Sequence, residues 1–319
     1  VFAYAVRRVL TTIPLLLLGT FIVYAMTSQV ADPLGALRLN VNADPAAYER
    51  IIDLYDLDEP VPIRYMNWIT DAAQGDMGSS PTYNQPVYDL VKERAANSAR
   101  LAIPAFLLIA FLAVVLGVFS AVNQYKRSDY IITGFSFFGL SMPTFVFGLT
   151  LQVIFVVYWQ RWFSGAKPFV TNQMLTGSWG EVLASHTLPV LTLMLVLVAG
   201  ESRFQRAAML EVMNSDYIRT ARAKGLPRRT VIFKHAMRNA MIPLVTIWAL
   251  DFAALLGGSV VTETIFSWPG LGPLLLRAIG ASDLNLMMGI VLLVSVIVIM
   301  FNLIADLLYA VLDPRIRYE

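Results

Sequence analysis

The sequence predicts an all-α integral membrane protein with six transmembrane helices and a long first extracytoplasmic loop. Three observations carry that reading. The 319 residues are 57% hydrophobic and 14% charged, with mean hydropathy +0.63, too apolar for the chain to cover itself with polar surface in water. Apolar runs near 9–30, 100–122, 131–158, 187–210, 241–261 and 286–310 each have the length of about 20 residues that a bilayer requires. The basic residues between those runs are unevenly shared between the two sides.

The first run follows Arg7-Arg8 as a signal peptide would. Its apolar part is long and has no small-x-small cleavage site, so it reads as an uncleaved anchor. The fourth is almost purely apolar from Thr187 to Gly200, then carries Glu201, Arg203, Gln205 and Arg206, and its last turns are expected to project into the aqueous phase. Six spans put both termini on one side. That side holds fifteen of the 24 Lys and Arg and the other holds nine, six of them between Arg38 and Arg100, where the long outer segment weighs little in such a count. Both termini are therefore expected in the cytoplasm. The net charge of +2 makes no case for nucleic acid, and the absence of Cys excludes disulfides and thiolate metal sites. His186 and His235 are too few and too far apart for a metal centre, so none is expected.

The outer 31–99 segment carries eleven carboxylates and six prolines, among which Ala46 to Leu54 reads as a short helix capped by Asn42 or Asp44. A stretch of about 70 residues is long for a bare loop, so it is expected to fold on the outer face as a structured cap or a docking surface. On the other side, within 211–240, Ser215 to Arg229 spells a short basic helix. Ser215 or Asp216 can cap its start, Gly225 suits the left-handed residue past its end, and Pro227 blocks continuation. Asp216 lies at the positive end of the helix dipole, and Arg222 and Lys224 at the negative end. On charge and capping alone, such a rod can press on a protein. It can equally lie in the headgroups with Arg219, Arg222, Arg228 and Arg229 on anionic lipid.

The stretch from Ser202 through this helix to His235-Ala236-Met237-Arg238-Asn239-Ala240-Met241-Ile242-Pro243 resembles the cytoplasmic loop of binding-protein-dependent ABC importer permeases, specifically the first membrane subunit of the dipeptide and oligopeptide group. That superfamily places a Glu-Ala-Ala triplet ahead of three variable residues and a glycine. Aligned on Gly225, the triplet falls on Arg219, Thr220 and Ala221, so only its third member is kept. Thr262 to Gly272 looks like the group's outer re-entrant segment, and Asp313 to Tyr318 like its C-terminal ending. Ser141-Met142-Pro143-Thr144-Phe145 and the six-span layout extend the resemblance to nearly the whole length.

The resemblance implies a type I ABC importer permease architecture, with residues 1–319 as a single permease domain of a bacterial or archaeal inner membrane. It implies a coupling helix, with Asp216, Arg219, Thr220, Ala221, Lys224 and Gly225 as the residues that meet an ATPase. It further implies as partners a second homologous permease, two ATPase subunits and an extracytoplasmic solute-binding protein. The chain has no Gly-x-x-x-x-Gly-Lys-Ser/Thr loop, so no cofactor is expected in it, and ATP and Mg belong to the partner ATPases. Peptide is the implied cargo, with nickel or another small solute as the alternative. Asp251, midway along span five, and Asp306, near the cytoplasmic end of span six, are candidates for the translocation path, because a carboxylate at membrane depth is costly. The same two residues raise two readings from other classes, an intramembrane aspartyl protease and a proton-coupled secondary transporter. The first needs its carboxylates close together, and the second wants ionisable groups in several spans.

Overall fold

The computed structural model describes residues 2–38, 44–159 and 179–312. Helices dominate these residues: α1 (Phe2–Val30), α2 (Gly35–Arg38), α3 (Pro45–Leu54), α4 (Val61–Ala73), α5 (Val87–Val122), α6 (Arg127–Ser141), α7 (Thr144–Val153), α8 (Trp179–Met213), α9 (Asp216–Ala223), α10 (Arg228–Thr230), α11 (Met237–Ala240), α12 (Ile242–Leu256), α13 (Val260–Ile265), α14 (Leu271–Gly280) and α15 (Leu284–Leu312). The strands are a two-residue antiparallel pair, Ser79–Ser80 with Gln85–Pro86. Apolar stretches long enough to cross a bilayer lie in α1, α5, α8, α12–α13 and α15, and the bent pair α6–α7 makes a sixth if counted as one span.

Two of these elements differ from the sequence expectation. The stretch 131–158, read as one span, is two helices meeting at 100°, followed by a π-helical turn at Ile154–Trp159. The bend follows from Pro143, which forces its predecessor out of the helical region: Met142 is extended, at φ −94° and ψ 122°. Likewise α5 starts at Val87, not near residue 100, so the end of the acidic outer segment is the first turns of a 36-residue helix. At 1.5 Å per residue that helix is about 54 Å long, well beyond the roughly 30 Å of hydrocarbon.

The chain divides into two compact units, and α5 passes from the first to the second after Ser98. The first unit holds residues 1–98, 256–260 and 269–303. In it α4 lies on α1 through an aromatic cluster. Tyr65 stacks edge-on against Phe21 and Tyr24 at 5.3 and 5.6 Å, and its hydroxyl meets Thr20 Oγ1 at 2.8 Å and donates to the Leu17 carbonyl at 2.9 Å. A second core packs Val87, Leu90 and Val91 of α5 on Leu271, Leu274 and Ala278 of α14 and on Leu286, Met287 and Ile290 of α15. Ser98 Oγ accepts from the Leu271 amide at 2.9 Å, and Asn97 Nδ2 donates to the Pro269 carbonyl at 3.0 Å, which fixes the start of α14 on α5.

The outer segment is held to this unit by a buried carboxylate. Asp283 accepts from Ser80 Oγ at 2.5 Å and from the Leu286 amide at 3.1 Å, so it caps α15 and fastens the small hairpin with one side chain. The short helix predicted at 46–54 is α3, whose cap is Asp44, accepting from the Ala46 amide at 3.1 Å; Asn42 lies outside the described residues. Burial, and after it the Asp283 carboxylate alongside, push the Tyr55 phenol above its ordinary value.

A folded-state value above the unfolded one means that the native state holds its proton more tightly, so stability is complete below the ordinary phenol value and falls as pH rises past about 10. Alkaline unfolding followed by proteolysis of the outer segment should begin near that pH, and Tyr55→Phe should move its onset upward. An unchanged onset would mean that Tyr55 does not set it.

Candidate functional site

The second unit holds residues 99–255, 261–268 and 304–319, and the basic loop lies in it. Helix α9 has only eight residues, too few to persist alone. Two features hold it. Along one face Ile218 is fully buried and Ala221 is 8% exposed, packed among Val118 and Ala121 of α5, Met209 of α8, and Val231, Ile232, Ala236 and Ala240 of the segment that follows. At its end Gly225 takes φ +75°, and the Leu226 amide reaches the Ala221 carbonyl at 3.4 Å while the Gly225 amide reaches Arg222 at 3.0 Å. These are the paired bonds of a Schellman stop, which uses the left-handed conformation that glycine adopts without strain. At the other end Ser215 is the N-cap residue by position, but its hydroxyl donates back to the Val212 carbonyl at 2.6 Å and makes no cap bond.

This arrangement divides the residues that the sequence singled out. Asp216, Arg219, Thr220, Lys224 and Gly225 are exposed, together with Tyr217 and Arg222. Ala221, the kept member of the triplet, is instead part of the buried seat, where a small side chain lets the helix approach α5 and α8. Arg219 and Asp216 form an ion pair at 3.5 Å on the open face; such exposed pairs add little stability and leave both groups available to a partner.

One turn before Met209, α8 carries a stronger tie. Arg206 donates from Nε and Nη2 to the two oxygens of Asp129 at the start of α6, each at 2.8 Å. Asp129 is buried and also accepts from Ser120 Oγ near the end of α5 and from the Tyr125 amide at 2.9 Å. Tyr125 stands at φ +65°, a conformation that aims its N–H at the carboxylate. The ends of three long helices are thus joined through one bidentate pair directly beside the seat of α9. Close packing supports the joint: a Cβ on Gly117 of α5 would stand 2.7 Å from both the Ser202 carbonyl and Gln205 Cβ of α8, so only glycine fits there. Sequence reading missed this pair, because its members are 77 positions apart and nothing local links them.

The last turns of α8, expected beyond the membrane, do not carry all of their polar side chains on an open surface. Glu201 and Gln205 are buried, Glu201 at 4% exposure and Gln205 completely. Glu201 Oε2 accepts from Trp248 Nε1 of α12 at 2.7 Å, and Asp251, three residues further along α12, lies near enough for the two carboxyls to interact electrostatically. Asp251 is therefore one half of a carboxyl pair whose other member is Glu201. Trp248 and Phe252 wall this pair with Phe106 of α5, at ring distances of 6.3 and 4.7 Å. Trp248 and Asp251, three apart on one helix face, were the available sequence signal. Asp306 is partly buried toward the C-terminal end of α15. His186 packs edge-on against the buried Trp268 at 4.7 Å, which gives it an ordinary core role. Among the described residues no cluster of His, Cys, Asp or Glu is arranged to hold a metal ion. The C-terminal motif Asp313 to Tyr318 lies outside the described residues.

Breaking a buried ion pair from one side strands the other charge and costs about 3–5 kcal/mol. Asp129→Ala should therefore lower the thermal stability of the purified protein markedly, and Asp129→Ala combined with Arg206→Met should recover part of the loss. If the single variant melts like wild type, the pair is not a structural joint.

Residues 113–318 match the family described as binding-protein-dependent transport system inner membrane component. Over 320 residues the chain is 38% identical to the oligopeptide transport system permease protein AppB of Bacillus subtilis, covering 99% of both chains. It is 37% identical over 328 residues to the oligopeptide permease protein OppB of Mycobacterium tuberculosis, covering 98% of both. It is 33% identical over 335 residues to the dipeptide permease protein DppB of Escherichia coli, covering 99% of both. The matched segment contains the whole of α9, its seat and the Arg206–Asp129 joint, in a chain whose apolar helices have the lengths and order that a membrane component needs. The chain belongs to the binding-protein-dependent transport system inner membrane component family.

Proposed function

We propose that this chain is the membrane permease subunit of an ATP-driven peptide importer, and that α9 is the element through which a separate ATPase moves it. The observation that carries the reading is the two-sided character of α9. Ile218 and Ala221 fasten it to α5 and α8, while Asp216, Arg219, Thr220, Arg222 and Lys224 are exposed around the rest of its surface. A short rod gripped on one face and charged on the other transmits force between a soluble partner and the helices behind it. Full-length similarity to oligopeptide and dipeptide permeases supports peptide as the cargo.

In this reading the assembly holds a second homologous permease, two ATPase subunits that bind ATP and Mg, and an extracytoplasmic solute-binding protein. The excess of Lys and Arg on the loop side puts α9 and both termini in the cytoplasm of an inner-membrane protein. ATP binding draws the ATPases together, α9 follows its socket, and the Arg206–Asp129 joint carries the displacement into α5, α6 and α8 as one body. The cavity then alternates between outward and inward access. The chain itself performs no chemistry. Asp251, with Glu201 beside it, lies at the path or at the contact with the second permease, and Asp306 is a further candidate there.

Purification from the native membrane in mild detergent should bring down ATPase subunits; their absence would count against the whole reading. In reconstituted assemblies Gly225→Val forces a β-branched residue into the left-handed region, at a cost of roughly 1–2 kcal/mol. It should abolish peptide uptake while insertion stays normal, and unchanged uptake would sink the role given to this turn. Asp251→Asn and Glu201→Gln should each alter uptake or its coupling to ATP hydrolysis. The double variant should do no more than the stronger single one, as neighbours in one contact behave; additive effects would separate the two residues.

A further inference from the structure

Between α6 and α8 the second unit has an open groove of roughly 460 Å³, lined by Thr133, Phe137, Leu140, Arg203, Phe204 and Arg206, with Gly200 and Ala207 in its wall. Its two arginines are in different states. Arg206 is consumed by Asp129. Arg203 is exposed, with its guanidinium lying over the ring of Phe137 at 4.2 Å, and among the described residues no carboxylate is within ion-pair distance of it. Stacking on a ring fixes the plane of a guanidinium and leaves its N–H edge free for a planar or tetrahedral anion.

The depth of the groove narrows the choice of anion. After Glu181 the next charged residue of α8 is Glu201, and the 19 residues from 182 to 200 span about 28 Å, the thickness of the hydrocarbon layer. Arg203 stands one turn beyond that stretch, at headgroup level. Leu140 and Gly200 lie toward the apolar side of the groove. Thr133 and Arg206 lie toward the polar side, and Lys126 and Arg127 stand exposed before the start of the apolar run of α6. Phe137, Leu140 and Phe204, at 53, 47 and 41% exposure, give the groove an apolar floor that continues into the bilayer. A site with a fixed cation at the headgroup plane and an apolar channel below it has the two-part chemistry of one ligand.

We propose that this groove binds an anionic phospholipid, its phosphate on Arg203 and an acyl chain along Phe137, Leu140 and Phe204. The lipid fills the cleft between α6 and α8 beside the Arg206–Asp129 joint. This proposal needs the chain to lie in a membrane and does not depend on the cargo.

The test uses the full assembly, reconstituted in phosphatidylcholine vesicles with about one-fifth phosphatidylglycerol and re-extracted in neutral detergent. Phosphatidylglycerol retained per assembly is counted by mass spectrometry. Wild type should retain it, Arg203→Ala should lower the count about fivefold, and Arg203→Lys should keep most of it. Leu140→Trp, which fills the groove and leaves the charge, should also lose it, and excess inorganic phosphate should not displace it. Wild type without retained lipid, variants that retain as much as wild type, or release by phosphate would each overturn the proposal. So would loss of the second permease subunit from both Arg203→Ala and Leu140→Trp, since the groove would then be a protein contact. Peptide uptake by the same wild-type vesicles reports separately on the proposed function.

Discussion

Burial of Ile218 and Ala221 is the constraint on which the rest of the loop depends. Eight residues of helix do not persist in water, because nucleation outweighs the few hydrogen bonds gained. Helix α9 exists because one of its faces is packed on α5 and α8 and because Gly225 stops it with two backbone bonds. The seat also decides which groups are left over. With Ile218 and Ala221 turned inward, helical periodicity turns Asp216, Arg219 and Thr220 outward, so anchoring and exposure are one consequence of the same packing.

Beneath the seat, Arg206 and Asp129 turn three separate helix ends into one part. Hydrophobic contact alone is non-directional and lets helices slide. A bidentate guanidinium–carboxylate contact fixes distance and angle together, and here it sits one turn from Met209, where α9 presses. The neighbouring Arg203 shows how environment divides one residue type into different roles. Arg206 has a buried carboxylate, Arg203 lies over the ring of Phe137, and Arg219 on α9 has an exposed partner.

Much of this was legible in the sequence where the cause is local. The boundaries of α9 follow from Ser215, Gly225 and Pro227, and the cap of α3 from Asp44, because capping and stopping involve residues within one turn. Apolar length alone pointed to five of the long helices and to the bent pair α6–α7. What local pattern could not reveal was pairing across the chain: Asp129 with Arg206, Glu201 with Asp251, Asp283 with Ser80. Composition gave no sign that Glu201 and Gln205 of α8 are buried against neighbouring helices. The 100° bend at Met142-Pro143 was spelled by its proline, yet a hydropathy window averages across it. Ala221 reads in the sequence as a surface residue of a contact motif, and only packing shows that its small size serves the seat.

The most direct measurement exploits a chain without cysteine of its own. Single cysteines placed at Arg219 and at Ala221 of the purified assembly, each carrying a short photo-crosslinker, report which surface meets α9. The account predicts that position 219 crosslinks to an ATPase subunit with a yield that changes when ATP binds, while position 221 crosslinks within this chain. Crosslinking of position 219 to lipid alone, or equal capture of the ATPase from both positions, would contradict it.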